Sequence, residues 1–165
     1  MVNVMEVKYT VCIFFIAIVI FILFSFVVYA QSKAESSVST EYPSGDNMVE
    51  LLARLINGEA RGESYLGQVA VGAVIMNRVK SPEFPNTIAG VIYEPGQFSS
   101  IKDGQFNVSI DENSTVYQAA EDAMNGVDPT NGALYFYNPS KTKSKYLFSL
   151  KTVATIGKHV FAVGN

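Results

Sequence analysis

Asn57-Gly58-Glu59-Ala60-Arg61-Gly62-Glu63 sets two carboxyls four residues apart, with an arginine between them and glycines beside them. Glu59 directly follows an apolar helical pattern, at the turn before a second one. A carboxyl at the edge of an apolar packing zone loses hydration, which favours its protonated form. A protonated Glu is the general acid that cleavage of a glycosidic bond requires. The glycines let another backbone, or a polymer, come close. The same spacing also suits an exposed helix start in which Arg61 pairs with Glu59 and Glu63, and spacing alone leaves both readings open.

Counting removes several rival chemistries. Cys12 is the only cysteine and lies inside an apolar run, so nothing after residue 30 supplies a thiolate or a disulfide. His159 is the only histidine, whereas a zinc amidase or peptidase normally needs two or three. No metal or cofactor is called for. A serine hydrolase is not excluded by count, but no G-x-S-x-G elbow occurs. Residues 31–132 carry six Lys/Arg against fourteen Asp/Glu, while 133–165 carry five Lys and no acid. That division argues against nucleic acid, which wants a broad basic surface. The basic C-terminal stretch suits an ordinary solvated face or an anionic wall polymer or membrane surface.

The elements that must position these groups follow an N-terminal targeting segment. Val11 to Val28 is eighteen residues without a charge, long enough to reach roughly 27 Å as a helix. Val28-Tyr29-Ala30 behind it suits a signal peptidase. Residues 1–30 are therefore expected to be a membrane anchor, contacting the bilayer through 11–28, or a cleaved signal, with the rest outside the cytoplasm. Residues 31–45, rich in Ser, Glu and Thr, read as a flexible tether, and 46–165 as one domain. Asp46 offers an N-cap, and Met48, Leu51, Leu52, Leu55 and Ile56 predict a helix ending near Asn57-Gly58. A second helix is predicted over Ser64 to Val79, with Leu66, Val69, Ala70, Ala73, Val74 and Met76 inward, ended by Pro82 and Pro85. Thr87 to Tyr93 predicts a short helix and Ser99 to Asp111 an extended surface loop. Asp111 or Ser114 caps a third long helix that Gly126 ends, with Val116, Ala119, Ala120, Ala123 and Met124 inward. Ala133 to Tyr137 reads as a strand, and Lys151 to Ile156 with Lys158 to Val163 as a hairpin about Gly157. Helices first and strands after them indicate an α+β fold with a small antiparallel sheet beside a helical body.

Several motifs in order carry a resemblance. Leu51 to Val79, LLARLINGEARGESYLGQVAVGAVIMNRV, is followed by Pro85-Asn86-Thr87-Ile88, Val91-Ile92-Tyr93 and Pro95-Gly96-Gln97-Phe98-Ser99. Ala119-Ala120, Ala123, Asn125-Gly126 and Asp128-Pro129 come next. Ala133-Leu134-Tyr135-Phe136-Tyr137-Asn138-Pro139 and Ile156-Gly157-Lys158-His159-Val160-Phe161 close the series. Over residues 48–162 the chain resembles the SleB/CwlJ-type cell-wall hydrolases, the spore cortex-lytic enzyme family. The resemblance implies a small lysozyme- or transglycosylase-like domain that cuts peptidoglycan glycan strands between N-acetylmuramic acid and N-acetylglucosamine. It implies a lytic transglycosylase in which one carboxyl, Glu59, serves as acid and then base.

Around that acid, Gln97, Phe98, Tyr137, Asn138, His159 and Glu63 are the candidate substrate-binding residues. Each has a plainer reading. Glu63 can pair with Arg61 or cap the second helix, Phe98 and one of Tyr135 to Tyr137 can be core, Asn138 can form an Asn-Pro turn, and His159 can be structural. Many relatives carry a tryptophan and then Arg-Pro after the aromatic strand. Here Leu147-Phe148-Ser149-Leu150-Lys151 stands instead, which puts a sugar-stacking contact in question. An accessory protein could be required for activity. The alternative of another class is a catalytically silent, membrane-anchored wall-binding or scaffolding protein.

Overall fold

Two helices joined through residues 61–64 carry the core: α1, Gly45–Ala60, and α2, Tyr65–Lys80. They belong to a computed structural model that describes residues 45–164. The apolar run 11–28, the cleavage motif behind it and the tether up to residue 44 lie outside the described residues. Gly45, assigned to the tether, opens α1. Among the described residues no helix is long and apolar enough to cross a membrane.

α1 buries Leu52, Leu55 and Ile56 completely and runs past Asn57-Gly58 to Ala60, so Glu59 stands on its last turn rather than in the turn beyond. Ser64 caps α2, its Oγ accepting the Gly67 N–H at 3.3 Å. From Gly67 to Ile75 every residue of α2 is buried. The predicted single stripe was too narrow, because α2 packs against α1, α3 (Ile88–Tyr93), α5 (Val116–Met124) and the sheet at once. Leu66, expected inward, is 51% exposed, while Val71, Gly72 and Ile75 are buried. A Cβ at Gly72 would stand 2.8 Å from Ala123 Cβ and 3.1 Å from Ile56 Cδ1, so hydrogen at this position is what lets the three helices meet.

Ser99 to Asp111 is not an extended loop. It holds α4 (Ser99–Lys102) and a 3-10 turn (Gln105–Asn107), with Ser100 and Phe106 buried. The reason lies on α1 and just past its end, where Arg54, Asn57 and Arg61 recur at helical spacing. Arg54 Nε donates to the Phe106 carbonyl at 3.3 Å and Nη2 to Asn107 Oδ1 at 2.6 Å. Asn57 Nδ2 donates to the Val108 carbonyl at 3.3 Å, and Arg61 Nη2 to Gln105 Oε1. Polar side chains of the helix thus supply the partners that a packed irregular segment needs.

α5 buries Val116, Ala119, Ala120 and Ala123 as expected. Neither predicted cap holds the cap position, which Thr115 occupies without a capping bond, its hydroxyl donating instead to Gln68 Oε1 at 2.7 Å. Ser114 Oγ accepts the Val116 N–H at 3.4 Å, and Asp111 closes an earlier turn on the Asn113 N–H at 2.8 Å. Tyr65 Oη donates to Asp122 Oδ2 at 2.5 Å and Tyr117 Oη to Glu50 Oε2 at 2.6 Å, tying α5 to both long helices. The bond to Asp122 pushes the Tyr65 phenol up to about 12.

Between α5 and the sheet, Asp128 accepts from the Thr130 N–H (2.7 Å) and hydroxyl (2.6 Å), the Gly132 N–H (2.8 Å) and Asn77 Nδ2 (2.9 Å). Partial burial works against the charge, but these donors outweigh it and hold the carboxyl below its ordinary 3.8. The loop is thereby fixed to the end of α2 and delivers β1 (Tyr135–Tyr137). β1 pairs antiparallel with β3 (His159–Val163), which pairs antiparallel with β2 (Lys151–Ile156), in the order β1-β3-β2. Phe136 faces Phe161 and Ile156 faces His159 across the ladders. A short helix the sequence reading did not anticipate, α6 (Lys145–Ser149), lies between β1 and β2.

Candidate functional site

Glu59 is half-buried, and its Oε1 accepts the backbone N–H of Ser100 at 3.0 Å. Gly58 makes this possible, since a Cβ there would stand 2.7 Å from Ser100 Cβ. Of the two approaches expected at this glycine, another backbone or a polymer, the first is seen: Gly58 admits α4. The carboxyl opens on a groove of about 990 Å³ walled by Gly58, Glu59, Tyr93, Glu94, Gln97, Phe98, Phe136, Tyr137, Asn138 and His159, among others. A smaller recess of about 290 Å³ is lined by Glu59, Arg61, Glu63, Asn138, Lys141, Lys158 and His159, among others.

Every candidate residue therefore lines one of two depressions that share Glu59, and the contacts give each a second duty. Gln97 Oε1 accepts from Arg78 Nη1 at 3.1 Å. Phe98 is 6% exposed and stacked on Phe136 at 6.3 Å, so it is core and groove floor together. Tyr137 is buried, with its ring edge-on to Phe148 at 5.5 Å. Asn138 Oδ1 accepts the Ser140 N–H at 2.9 Å, the turn foreseen as its plainer role. Glu63 does not pair with Arg61, which is taken by Gln105, and it does not cap α2, which Ser64 does. Its Oε2 instead accepts the Lys158 N–H at 3.1 Å, joining the β2–β3 turn to the connection between α1 and α2.

His159 is buried against the rings of Phe136 and Phe161 at 5.5 and 6.3 Å. That burial lowers its pKa from the ordinary 6.5. Glu63 and Glu59 work the other way, and Lys141 and Lys158 add to the lowering. The imidazole is thus neutral at pH 7. His159 Nδ1, Glu94 Oε2 and Ser100 Oγ are buried with no hydrogen-bond partner among the described residues. Such groups are rare, because each forgoes about 1–3 kcal/mol of solvation. Two of the three belong to groove-lining residues, and the third to the residue bound to Glu59.

Arg78 was missed by the sequence reading. It is 4% exposed, donates from Nε to the Leu134 carbonyl at 2.7 Å, and lies 4.7 Å from the Phe84 ring centre and 5.5 Å from that of Phe98. Burial lowers its pKa, with Tyr135 and Glu94 opposing. The signal was present, since Arg78 sits on the same helical row as Val71, Val74 and Ile75. A charge on an apolar row is either paired inside or part of a site. Among the described residues no three His, Cys, Asp or Glu side chains gather where they could ligate a metal ion.

Residues 62–162 match the family described as Cell Wall Hydrolase. The chain belongs to this family. Its match begins three residues past Glu59 and takes in α2, β1, β2 and most of β3. The chain is 46% identical over 133 residues to a spore cortex-lytic enzyme of Bacillus cereus, covering 79% of this chain and 51% of that one. It is 44% identical over 134 residues to the spore cortex-lytic enzyme of Bacillus subtilis, covering 80% and 43%. It thus spans about half the length of the curated relatives it matches. Among solved structures, the catalytic domain of the germination-specific lytic transglycosylase SleB from Bacillus anthracis superposes with a TM-score of 0.67 at 46% identity, over 73% of this chain and 98% of that one. The family's α+β architecture, helices with a small antiparallel sheet, is the one described above.

Proposed function

We propose that this chain cuts the glycan strands of peptidoglycan between N-acetylmuramic acid and N-acetylglucosamine, as a lytic transglycosylase with Glu59 as its acid and base, in a domain spanning 46–165. In the first step the Glu59 carboxyl gives its proton to the glycosidic oxygen, and the bond from that oxygen to muramic C1 breaks. In the second, the Glu59 carboxylate removes the proton of the muramic C6 hydroxyl, whose oxygen bonds to C1 and closes a 1,6-anhydro ring. No water is consumed, and one carboxyl returns to its starting form. Segment 11–28 would hold the domain at, or send it across, the membrane toward this substrate.

One observation carries the reading. A half-buried carboxyl on the last turn of α1 is held by the Ser100 N–H at the edge of a long groove with aromatic rings and an amide on its walls. The names of the relatives support the substrate. The test is digestion of purified wall or cortex by residues 31–165, with mass spectrometry of the soluble products. Anhydro-muropeptides are expected. Reducing muramic ends would point to hydrolysis, and binding without release of fragments to the silent wall-binding alternative. Glu59→Gln is expected to fold and to lose about 10²–10⁴ in kcat, the usual contribution of a general acid. A folded variant with full activity would remove the mechanism.

A further inference from the structure

Three amide side chains line the groove, Gln97, Gln105 and Asn138, and each has its oxygen engaged. Gln97 Oε1 accepts from Arg78 Nη1 at 3.1 Å, Gln105 Oε1 from Arg61 Nη2, and Asn138 Oδ1 from the Ser140 N–H at 2.9 Å. A guanidinium and a backbone N–H donate and never accept, so a turned amide would set N–H against N–H. The partners therefore fix which end of each amide is which. What remains is three NH2 groups, and among the described residues none of them has a partner. Arg78 is the firmest of the three anchors, 4% exposed, bonded to the Leu134 carbonyl and lying against the Phe84 and Phe98 rings. The amides thus offer the groove donors only, from the loop after α3, the 3-10 turn and the end of β1. Sugar hydroxyls donate as well as accept and can turn to the groove carboxylates, Glu59 and Glu94. A carbonyl oxygen only accepts, so it is the strand group that fixed donors select.

We propose that these donors, Gln97 first among them, read the acetamido carbonyl of N-acetylglucosamine, so that the chain discriminates against strands whose glucosamine is de-N-acetylated. The inference rests on the function proposed above and names the substrate group that its groove selects. The acetamide is the one substituent that separates this sugar from plain glucose, whereas muramic acid is already set apart by its 3-O-lactyl arm. Reading it fixes the register of an alternating strand, so that Glu59 meets the bond from muramic C1 and not the other linkage.

Three forms of the same soluble strands test it with the full-length chain in detergent, at about 300 mM salt to screen the charge of a free amine. One form is untreated. In the second, a deacetylase specific for glucosamine leaves free amines, and in the third those amines are N-formylated, which restores the carbonyl without its methyl. The acetyl and formyl forms are expected to be cut with kcat/KM roughly tenfold above the amine form, chiefly through KM, since the contact binds and does not react. Gln97→Glu keeps an oxygen for Arg78 but turns only acceptors to the groove, and Gln97→Met removes the donor without adding charge. Both are expected to bring the acetyl-to-amine ratio near one. Where neither folds, Asn138→Asp and Gln105→Glu carry the same test, each keeping the oxygen its partner needs. Equal cleavage of acetyl and amine forms, or formyl strands cut as poorly as the amine, would overturn the proposal while leaving the proposed function intact. So would a ratio that falls in one Gln97 variant alone or in neither, because added charge or a lost Arg78 bond would then be the cause. If no form is cut, the proposed function fails. Anisotropy of the labelled strands on the full-length Glu59→Gln variant then decides the inference on its own, with tighter binding of the two acylated forms supporting it and equal binding removing it.

Discussion

Glu94 enters the groove with Oε2 buried and, among the described residues, unpartnered, so the groove contains a second carboxyl whose role follows from how many acids the reaction uses. Ordinary hydrolysis needs a pair, one to protonate the leaving oxygen and one to act on water or on the sugar itself. Internal attack by the C6 hydroxyl needs only Glu59. Glu94→Gln is therefore expected to keep kcat within a few-fold and still release anhydro ends. A loss of about 10²–10⁴ with reducing ends from the wild type would make Glu94 the partner acid. His159 gives a separate prediction from stability. Its folded pKa lies below the unfolded 6.5, so the unfolded chain binds the proton more readily. Its neutral form favours the fold fully above about 6.5, and that contribution is lost as pH falls below 6.5. The melting temperature of the wild type should drop more steeply between about pH 7 and pH 5.5 than that of His159→Gln. Parallel curves would mean that the imidazole titrates as it does in water.

The elements legible in the sequence were those whose burial follows a period. α1, α2 and α5 came from their apolar spacing, α3 was read as a short helix from Thr87 to Tyr93, and Ser64 and Thr87 act as caps at the predicted helix starts. α4 and the 3-10 turn were illegible because their burial depends on Arg54, Asn57 and Arg61, residues more than forty positions away. α6 was hidden because its rings, Tyr146 and Phe148, are exposed and lean on Tyr135 and Tyr137 of the sheet. The position of α4 matters most, since it donates the N–H that Glu59 accepts. Gly58→Ala should therefore act on the acid through α4. The new methyl meets Ser100 at 2.7 Å and must push it back, an overpacking of about 1–3 kcal/mol that better helix propensity partly offsets. Displacing a positioning contact costs catalysis more than stability, so kcat should fall roughly tenfold with a small change in melting temperature. Gly62→Ala is the control, because a Cβ there meets nothing within 4 Å and should leave both unchanged. Equal effects from the two substitutions would refute the account of Gly58.

At the scale of the whole molecule, the sequence supplied both layers but not what fastens them. Glu63 was legible as a polar group near the acid, and its partner was not, because the Lys158 N–H is a backbone donor brought from 95 residues away. This bond presses the β2–β3 turn onto the connection between α1 and α2, and Gly157, with φ of +56° and no room for a Cβ against Glu63 Oε2, permits it. The same turn carries Lys158 and His159 into the recess beside Glu59. If the bond is the fastener, Glu63→Ala frees the hairpin from the helical body. That should cost about 1.5–3 kcal/mol, the usual range for a hydrogen bond to a charged group. Hydrogen exchange at the Lys158 amide should speed up while the α2 core amides stay protected, since the opening is local. Glu63→Gln keeps an oxygen able to accept that N–H and should restore most of the protection and activity. A Glu63→Gln variant as impaired as Glu63→Ala would move Glu63 from fastening the sheet to meeting the substrate, because only the second role needs its charge.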